Sequence, residues 1–125
     1  MHLRAADGAM RMLVRVPLEA VRDVDFPAIE GGYLDVERLA PRLGGLAKTW
    51  VADPISLFES GALTSPPRIV STQISMESDR SFASFEQADN HLRAPLPANS
   101  EKLFWKQVCF DVALAVSYTH LPAHE

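Results

Sequence analysis

The hydrophobic period changes along the chain, and this change constrains the fold more than any other feature of the sequence. Between Met10 and Val16 the even positions are apolar and two of the three residues between them are arginines, which is the alternation of a half-buried strand. From Leu34 to Ala52 apolar residues recur instead at steps of three and four, which predicts one face of a helix. That face comprises Val36, Leu39, Leu43, Leu46 and Trp50. The chain therefore combines helices with a sheet.

Three further segments have strand character. Arg68 to Met76 alternates again, and a short strand is predicted at Ile55 to Glu59, with Ser60-Gly61 as the turn of a looser hairpin between them. Leu103 to Val116 is the last predicted strand. Its predicted core residues are Phe104, Val108, Phe110, Val112 and Leu114.

Turn and cap residues divide these segments. Asp7-Gly8 predicts a tight turn that pairs the N-terminal residues with the strand ending at Pro17. Asp35 is a plausible helix N-cap, and Asp53-Pro54 is expected to end that helix. Ser84 and Gln87 fit a capping box that opens a short helix to about Arg93. This helix is expected to point Phe85, Ala88 and Leu92 inward.

These elements predict an α+β domain with a mostly antiparallel β-sheet, or a partial sandwich, and two short helices. The 125 residues are enough for one domain, which we place at residues 1–115. We expect this domain to be truncated, because the last strand runs into a tail of different character. An incomplete sheet would leave that strand as an unpaired apolar edge, which favours aggregation.

The tail, residues 116–125, reads Val116-Ser-Tyr-Thr-His-Leu-Pro-Ala-His-Glu125. It resembles a translated transposase sequencing adaptor, with Pro122 in place of an arginine, and we predict that it is not native to the domain. His120 and His124 have the spacing of a zinc pair on a helix, but Pro122 between them opposes a helix.

The net charge and the titratable residues give little indication of a catalytic or binding function. The net charge of −4 argues against a nucleic-acid partner. The arginines in the N-terminal part are expected on a solvated face; they are Arg4, Arg11, Arg15 and Arg22. Cys109 is expected to be a buried, unreactive thiol, and both His2 and His91 are expected to be exposed.

Two groups of residues have the composition of a functional site, one of a cation site and one of a catalytic triad. Asp23 and Asp25 lie two residues apart, but no further oxygen ligands follow at a cation-site spacing, so a turn or strand edge is predicted. Ser84, His91 and Asp89 form a nominal triad that nothing in the sequence supports. We therefore predict no catalytic, cofactor-binding or metal-binding residue, no cofactor and no small-molecule ligand.

A series of ordered segments covers most of residues 1–115, and the first of them runs from Leu13 to Pro27. The later segments are Gly32-Tyr-Leu-Asp35, Trp50-Val-Ala52, Leu57-Phe-Glu-Ser-Gly61, Ser78-Asp-Arg-Ser-Phe-Ala-Ser84, Leu103-Phe-Trp-Lys-Gln107 and Asp111-Val112. Together these segments resemble the extracytoplasmic N-terminal region of membrane proteins related to the hydrogenase/urease accessory (HupE/UreJ) family.

The resemblance implies a β-rich periplasmic domain whose partner is the membrane domain of the parent chain. In this family the residues suspected of metal handling lie in the membrane helices, so no such role is carried onto a residue here. The sequence itself shows no signal peptide and no apolar run of about 20 residues that would span a bilayer. We predict a non-catalytic ectodomain fragment, related to metal transport or to an accessory protein. Fragments of a soluble binding module that acts by strand addition, or of a small hydrolase, are the alternatives.

Overall fold

A computed structural model describes residues 1–6, 9–21, 25–58 and 65–117 of the chain. In these residues a four-stranded antiparallel sheet has the strand order β1-β2-β6-β5, and a two-stranded ribbon pairs β3 with β4. The strands are β1 (His2–Ala6), β2 (Ala9–Pro17), β3 (Ala28–Ile29), β4 (Tyr33–Leu34), β5 (Arg68–Met76) and β6 (Val108–Ser117). With the helices described below, this confirms the predicted α+β class with a mostly antiparallel sheet.

The last strand lies inside the sheet and not at its edge. β6 pairs with β2 from Ala9↔Ser117 to Pro17↔Cys109, and its other side pairs with β5. The prediction of an unpaired apolar edge at β6 was therefore wrong. Its neighbours come from distant parts of the chain, and no local pattern shows which strands will meet.

One predicted hairpin is confirmed and the other is wrong. β1 pairs with β2 as expected, although its turn at Asp7-Gly8 lies outside the described residues. β5 pairs with β6 and not with a preceding strand, because residues 53–58 are helical. The predicted turn at Ser60-Gly61 also lies outside the described residues.

A helical run extends from Val36 to Phe58 in five pieces. They are α1 (Val36–Leu39), a 3₁₀ turn (Ala40–Arg42), α2 (Leu43–Ala47), a π turn (Lys48–Ala52) and α3 (Asp53–Phe58). Asp35 is the N-cap as predicted, since its side chain accepts a hydrogen bond from the Arg38 backbone N–H at 3.3 Å. Pro41 lies at the start of the 3₁₀ turn, where its missing N–H costs little.

The helix does not stop at Asp53-Pro54, contrary to the prediction. The π turn lies directly before this pair, and the Asp53 N–H bonds to the Lys48 carbonyl five residues back. A proline in a regular α-helix loses one hydrogen bond and clashes with the preceding turn. The wider turn ahead of Pro54 relieves that conflict, so that Pro54 lies in the first turn of α3, where proline is tolerated.

The π turn also changes which side chains face the core. Leu39 and Leu43 are buried as predicted, but Trp50 is 36% exposed, so its assignment to the core was wrong. Ala47 and Val51 are buried instead. A π turn rotates less per residue than an α turn, and this turns Trp50 away from the core face.

Both faces of the sheet are covered. One face packs against the helical run through a core that includes Met12, Leu39, Leu43, Phe110 and Leu114. The other face packs against α4 (Phe85–Arg93), where Ala88 and Leu92 contact Leu13 and Ala113, and Phe85 packs at the margin. The inward residues predicted for α4 are therefore confirmed, and the molecule has a helix–sheet–helix arrangement.

The segment after α4 covers part of the sheet's outer edge. The Gln73 side chain on β5 donates to the carbonyl oxygens of Ala94 (2.9 Å) and Pro95 (3.3 Å). Leu96, only one residue later, packs against the core on the opposite face. The chain therefore passes around the outer edge of β5, which protects that edge from strand addition.

Gly32, in the loop between β3 and β4, has a backbone conformation that favours glycine. Gly32 has φ +81° and a Cβ there would lie 2.9 Å from Phe104 Cε1, whereas a Cβ on Gly44 in α2 meets nothing within 4 Å. We expect Gly32→Ala to lower the free energy of unfolding by more than about 1–2 kcal/mol, because left-handed backbone and a steric clash both oppose it. Gly44→Ala should raise it by about 1 kcal/mol. Urea unfolding of both variants checks this, and equal effects of the same sign would contradict it.

Candidate functional site

A charged residue lies at the centre of the sheet. Asp111 is in the middle of β6 and has no solvent-exposed area. Strand alternation directs it to the α4 side together with Cys109 and Ala113. We call the polar group around it the Asp111 cluster, which consists of Asp111, Arg15, Ser75, Asp79, Ser81 and His91.

Arg15 is the principal partner of Asp111. The two residues are directly opposite each other on β2 and β6. Arg15 Nε donates to Asp111 Oδ1 at 2.8 Å and Nη2 donates to Oδ2 at 3.0 Å. This two-pronged contact is the strongest geometry for an arginine–carboxylate pair. Burial alone would lower the pKa of Arg15, but the bonds to Asp111 and Asp79 outweigh it and hold the pKa above its ordinary value.

Two more donors complete the shell of Asp111. Ser75 Oγ on β5 donates to Oδ2 at 2.8 Å, and His91 Nε2 on α4 lies 2.7 Å from the same oxygen. The carboxylate acts only as an acceptor in its charged form, so the His91 nitrogen is the donor. The cluster thus joins α4 to three strands of the sheet through one carboxylate.

A short loop before α4 closes the cluster. Arg15 Nη1 donates to the Asp79 carbonyl oxygen at 2.9 Å, and the Asp79 carboxylate accepts from the Ser81 N–H at 2.8 Å and from the Ser81 hydroxyl. The Arg15 guanidinium also lies 4.4 Å from the centre of the Phe82 ring, and that ring meets His91 edge to face. The loop therefore covers the otherwise open side of Arg15.

Acid should weaken this loop. Burial alone would raise the pKa of Asp79, but hydrogen bonds from Ser81 and Arg15 outweigh it and hold the pKa below its ordinary value of 3.8. A carboxylate whose folded pKa is lowered stabilises the fold above its unfolded pKa and loses that contribution as pH falls through the folded pKa. We expect the urea midpoint to fall below pH 3.8 and to fall less steeply in Asp79→Asn. Parallel profiles for the two proteins would contradict this.

The expected environment of several charged residues was wrong. Arg11 and Arg15 share a face of β2, as predicted, but α4 covers that face. Arg11 Nη2 lies 2.9 Å from Asp89 Oδ1, and Arg15 belongs to the Asp111 cluster. Arg4 is exposed and pairs with Glu86. Arg22 lies outside the described residues.

Both described histidines were predicted to be solvent-exposed, and this prediction was wrong for each of them. The His91 side chain is 15% exposed and is bonded to Asp111. His2 is partly buried, and its Nε2 bonds to the Phe82 carbonyl oxygen. The only sequence signal for the cluster is Asp111 itself, a charged residue in a strand that is otherwise nearly apolar. Its partners are spread from residue 15 to residue 91, and no spacing rule connects them.

The nominal triad does not assemble. Ser84 caps α4, where its hydroxyl accepts from the Gln87 N–H at 3.2 Å. This confirms the Ser84 half of the predicted capping box, whereas the return bond from the Gln87 side chain is not formed between these two described residues. Asp89 pairs with Arg11 and Arg93, and His91 reaches Asp111 instead. The three side chains thus have separate partners.

The remaining candidates also have structural positions. Cys109 is buried as predicted, and burial raises the pKa of its thiol. The Asp25 backbone carbonyl accepts from Arg42 at 3.1 Å, while Asp23 lies outside the described residues. Within the described ranges, no group of three His, Cys, Asp or Glu side chains is arranged to hold a metal ion. Every helix in those ranges is too short or too polar to cross a lipid bilayer.

The tail predicted to be foreign begins inside the sheet. Val116 is buried in β6 and Ser117 pairs with Ala9, while residues 118–125, including His120 and His124, lie outside the described residues. The adaptor origin of residues 116–125 stays a prediction. A scan against protein-family models, a search of curated proteins and a search of solved structures each find no match to this chain.

Proposed function

We propose that residues 1–115 form a non-catalytic extracytoplasmic domain of a membrane protein related to the HupE/UreJ family. The segments that carry the resemblance occupy positions that organise the fold, and this supports the proposal. Gly32 to Asp35 forms β4 and the cap of the helical run, and Ser78 to Ser84 forms the loop over Arg15 and the cap of α4. Asp111 is the centre of the buried cluster.

The observation that carries the proposal is the closed hydrogen-bonding of Asp111. Its two oxygens accept from Arg15, Ser75 and His91, and its side chain has no exposed area. A catalytic acid or base has to reach a substrate proton, whereas this carboxylate is saturated by its own chain. Buried and fully satisfied polar networks fix one arrangement of the elements they join. The cluster therefore acts as an anchor that holds α4 on the sheet.

In this proposal the partner of the domain is the membrane part of the parent chain, which it would shield, gate or help to recruit. A connection with metal transport or with accessory function belongs to that membrane part. The periplasmic side is the proposed location, in keeping with the family that the sequence resembles.

Cysteine labelling in intact cells tests the proposed location. In the full-length parent, Cys109→Ala removes the buried thiol and Glu30→Cys adds one on an exposed turn. Any cysteines of the parent outside this chain are first replaced by alanine. We then expect a membrane-impermeant maleimide to label Glu30→Cys in intact cells, and the Cys109→Ala background to stay unlabelled before and after lysis. Labelling of Glu30→Cys only after lysis would refute an extracytoplasmic location.

The parent gene separates the alternatives. Apolar segments of about 20 residues beyond the domain support the membrane-protein proposal. A parent that lacks them and purifies as a soluble protein would favour the binding module instead. Strand addition at β5 is hindered by the segment that passes around its outer edge, so β1 is the edge such a module would offer.

A further inference from the structure

The exposed flank of the helical run carries a large aromatic side chain beside an open depression. Trp50 is exposed beside an open depression of about 400 Å³. Pro41, Arg42, Gly45, Leu46, Thr49 and Trp50 line this depression. We call it the Trp50 surface. Leu46 and Trp50 also line a small cavity with Val16 and Phe110 of the sheet, so the Trp50 surface lies on the flank of the helical run, next to the core.

Two features at this surface are unfavourable for a regular helix, namely a pair of glycines and a π turn. Glycine inside a helix costs about 0.5–1 kcal/mol relative to alanine, and α2 contains two, Gly44 and Gly45. A Cβ on either glycine would meet nothing within 4 Å, so no contact within the described chain requires glycine there. The π turn, a feature often found at functional sites, turns Trp50 outward. The chain thus keeps a hollow open and a large aromatic ring beside it.

The hollow and the ring are complementary, and this points to a second copy of the chain as the occupant. In a two-fold symmetric contact, the same surface on each copy must provide both partners. An antiparallel pairing of the two helical runs, with the axis level with Ala47 and Lys48, places Trp50 against the partner's Gly45. The same register places Leu46 against the partner's Thr49. Each tryptophan would then fill the other copy's hollow.

Charge supports the same register. Arg42 and Asp53 are both exposed and lie on opposite sides of the axis, so the antiparallel pairing brings Arg42 of one copy to Asp53 of the other. Arg42 Nη1 also donates to the Asp25 carbonyl within its own chain, in an exposed contact that leaves its other nitrogen atoms available. Within one chain Asp53 pairs with Lys48 at 3.2 Å, but both side chains are largely exposed. Such a surface pair contributes at most about 1 kcal/mol and leaves Asp53 free to take a second cation. A parallel pairing would instead align like charges.

We propose that the Trp50 surface is the interface of a homodimer, in which the tryptophan of each copy packs over the glycine of the other. This inference goes beyond the proposed function and does not depend on it. Tryptophan is among the residues that most often dominate the energy of an interface, particularly when it fills a pocket. The contact involves one helical face per copy, so a weak, concentration-dependent dimer is expected.

Sedimentation equilibrium of the purified chain over a range of concentrations tests the proposal. We expect a monomer–dimer equilibrium whose association constant falls by at least about 30-fold in Trp50→Ala, in line with the loss of a central interface residue. Gly45→Leu, which fills the hollow, should have a similar effect. Val70→Ala, which shortens a comparably exposed apolar side chain on β5, should leave the constant unchanged. Circular dichroism melting confirms that each variant is folded.

Charge exchange tests the register. Arg42→Asp and Asp53→Arg should each weaken the dimer by about tenfold, because each creates two like-charge contacts across the axis. The double variant restores both pairs with their signs exchanged, and should recover dimerisation. A chain that stays monomeric at all concentrations, or a dimer that Trp50→Ala leaves intact, would overturn the proposal. A double variant no better than the single ones would overturn the register.

Discussion

Asp111→Ala is expected to lower the free energy of unfolding by about 3–5 kcal/mol. The carboxylate lies in the middle of the central strand and has no exposed area. Its removal leaves the Arg15 guanidinium partly buried without its main partner, and it also frees the Ser75 hydroxyl and the His91 ring. A buried charge that loses its partner costs far more than the pair contributed.

Removing both charges of the pair serves as the control for removing one. Replacing Asp111 and Arg15 together by apolar residues of similar size, as in Asp111→Leu with Arg15→Met, removes both charges and should cost much less than Asp111→Ala alone. Urea unfolding with fluorescence detection gives both values. If the double variant is destabilised by the sum of the effects of Asp111→Leu and Arg15→Met, each measured alone, the two side chains do not form an energetic pair.

Asp111→Asn separates charge from hydrogen bonding. The amide keeps one acceptor oxygen but replaces the other by an NH₂ group, which faces donors on Arg15, Ser75 or His91. We expect a loss close to that of Asp111→Ala, since two donors then meet in a buried site. A fully stable Asp111→Asn would show that the negative charge is not needed to hold α4 on the sheet.

Leu114→Ala is expected to lower the free energy of unfolding by about 2–5 kcal/mol. Leu114 has no exposed area, lies opposite Met12 on β2 and Ile69 on β5, and belongs to the core between sheet and helical run. Removing its branched end leaves a cavity that three hydrogen-bonded strands cannot collapse into. The cost should therefore fall in the upper half of this range.

A matched surface substitution controls for this result. Val70→Ala removes apolar atoms at the irregularity in β5, where Val70 is 39% exposed, and should change stability by no more than about 0.5 kcal/mol. Equal effects of Leu114→Ala and Val70→Ala in urea unfolding would mean that β6 is not the centre of the core. An unchanged m-value in both variants would show that the comparison concerns stability alone.

The sequence alone determined the elements whose cause is local. The strand conformation of β2 and β5, the caps at Asp35 and Ser84, and the inward face of α4 all follow from neighbours within a few residues. The alternation predicted for β5 is interrupted at Val70, where the register shifts. Periodicity and capping act over that distance. The α+β class follows from the mixture of the two periods, because strands and helices must bury their apolar faces against each other.

Tertiary structure decided what depends on distant parts of the chain. β6 is central because β2 and β5 both pair with it, and nothing near Val108 in sequence shows this. Packing on both faces of the sheet buried the arginine face that was expected to be solvated, and the packing of α4 on that face brought His91 to Asp111. Trp50 is exposed because a π turn ahead of Pro54 altered the helix phase. Local preferences set the conformation of each segment, but the burial of apolar surface between distant segments contributes more free energy and selects which side chains meet.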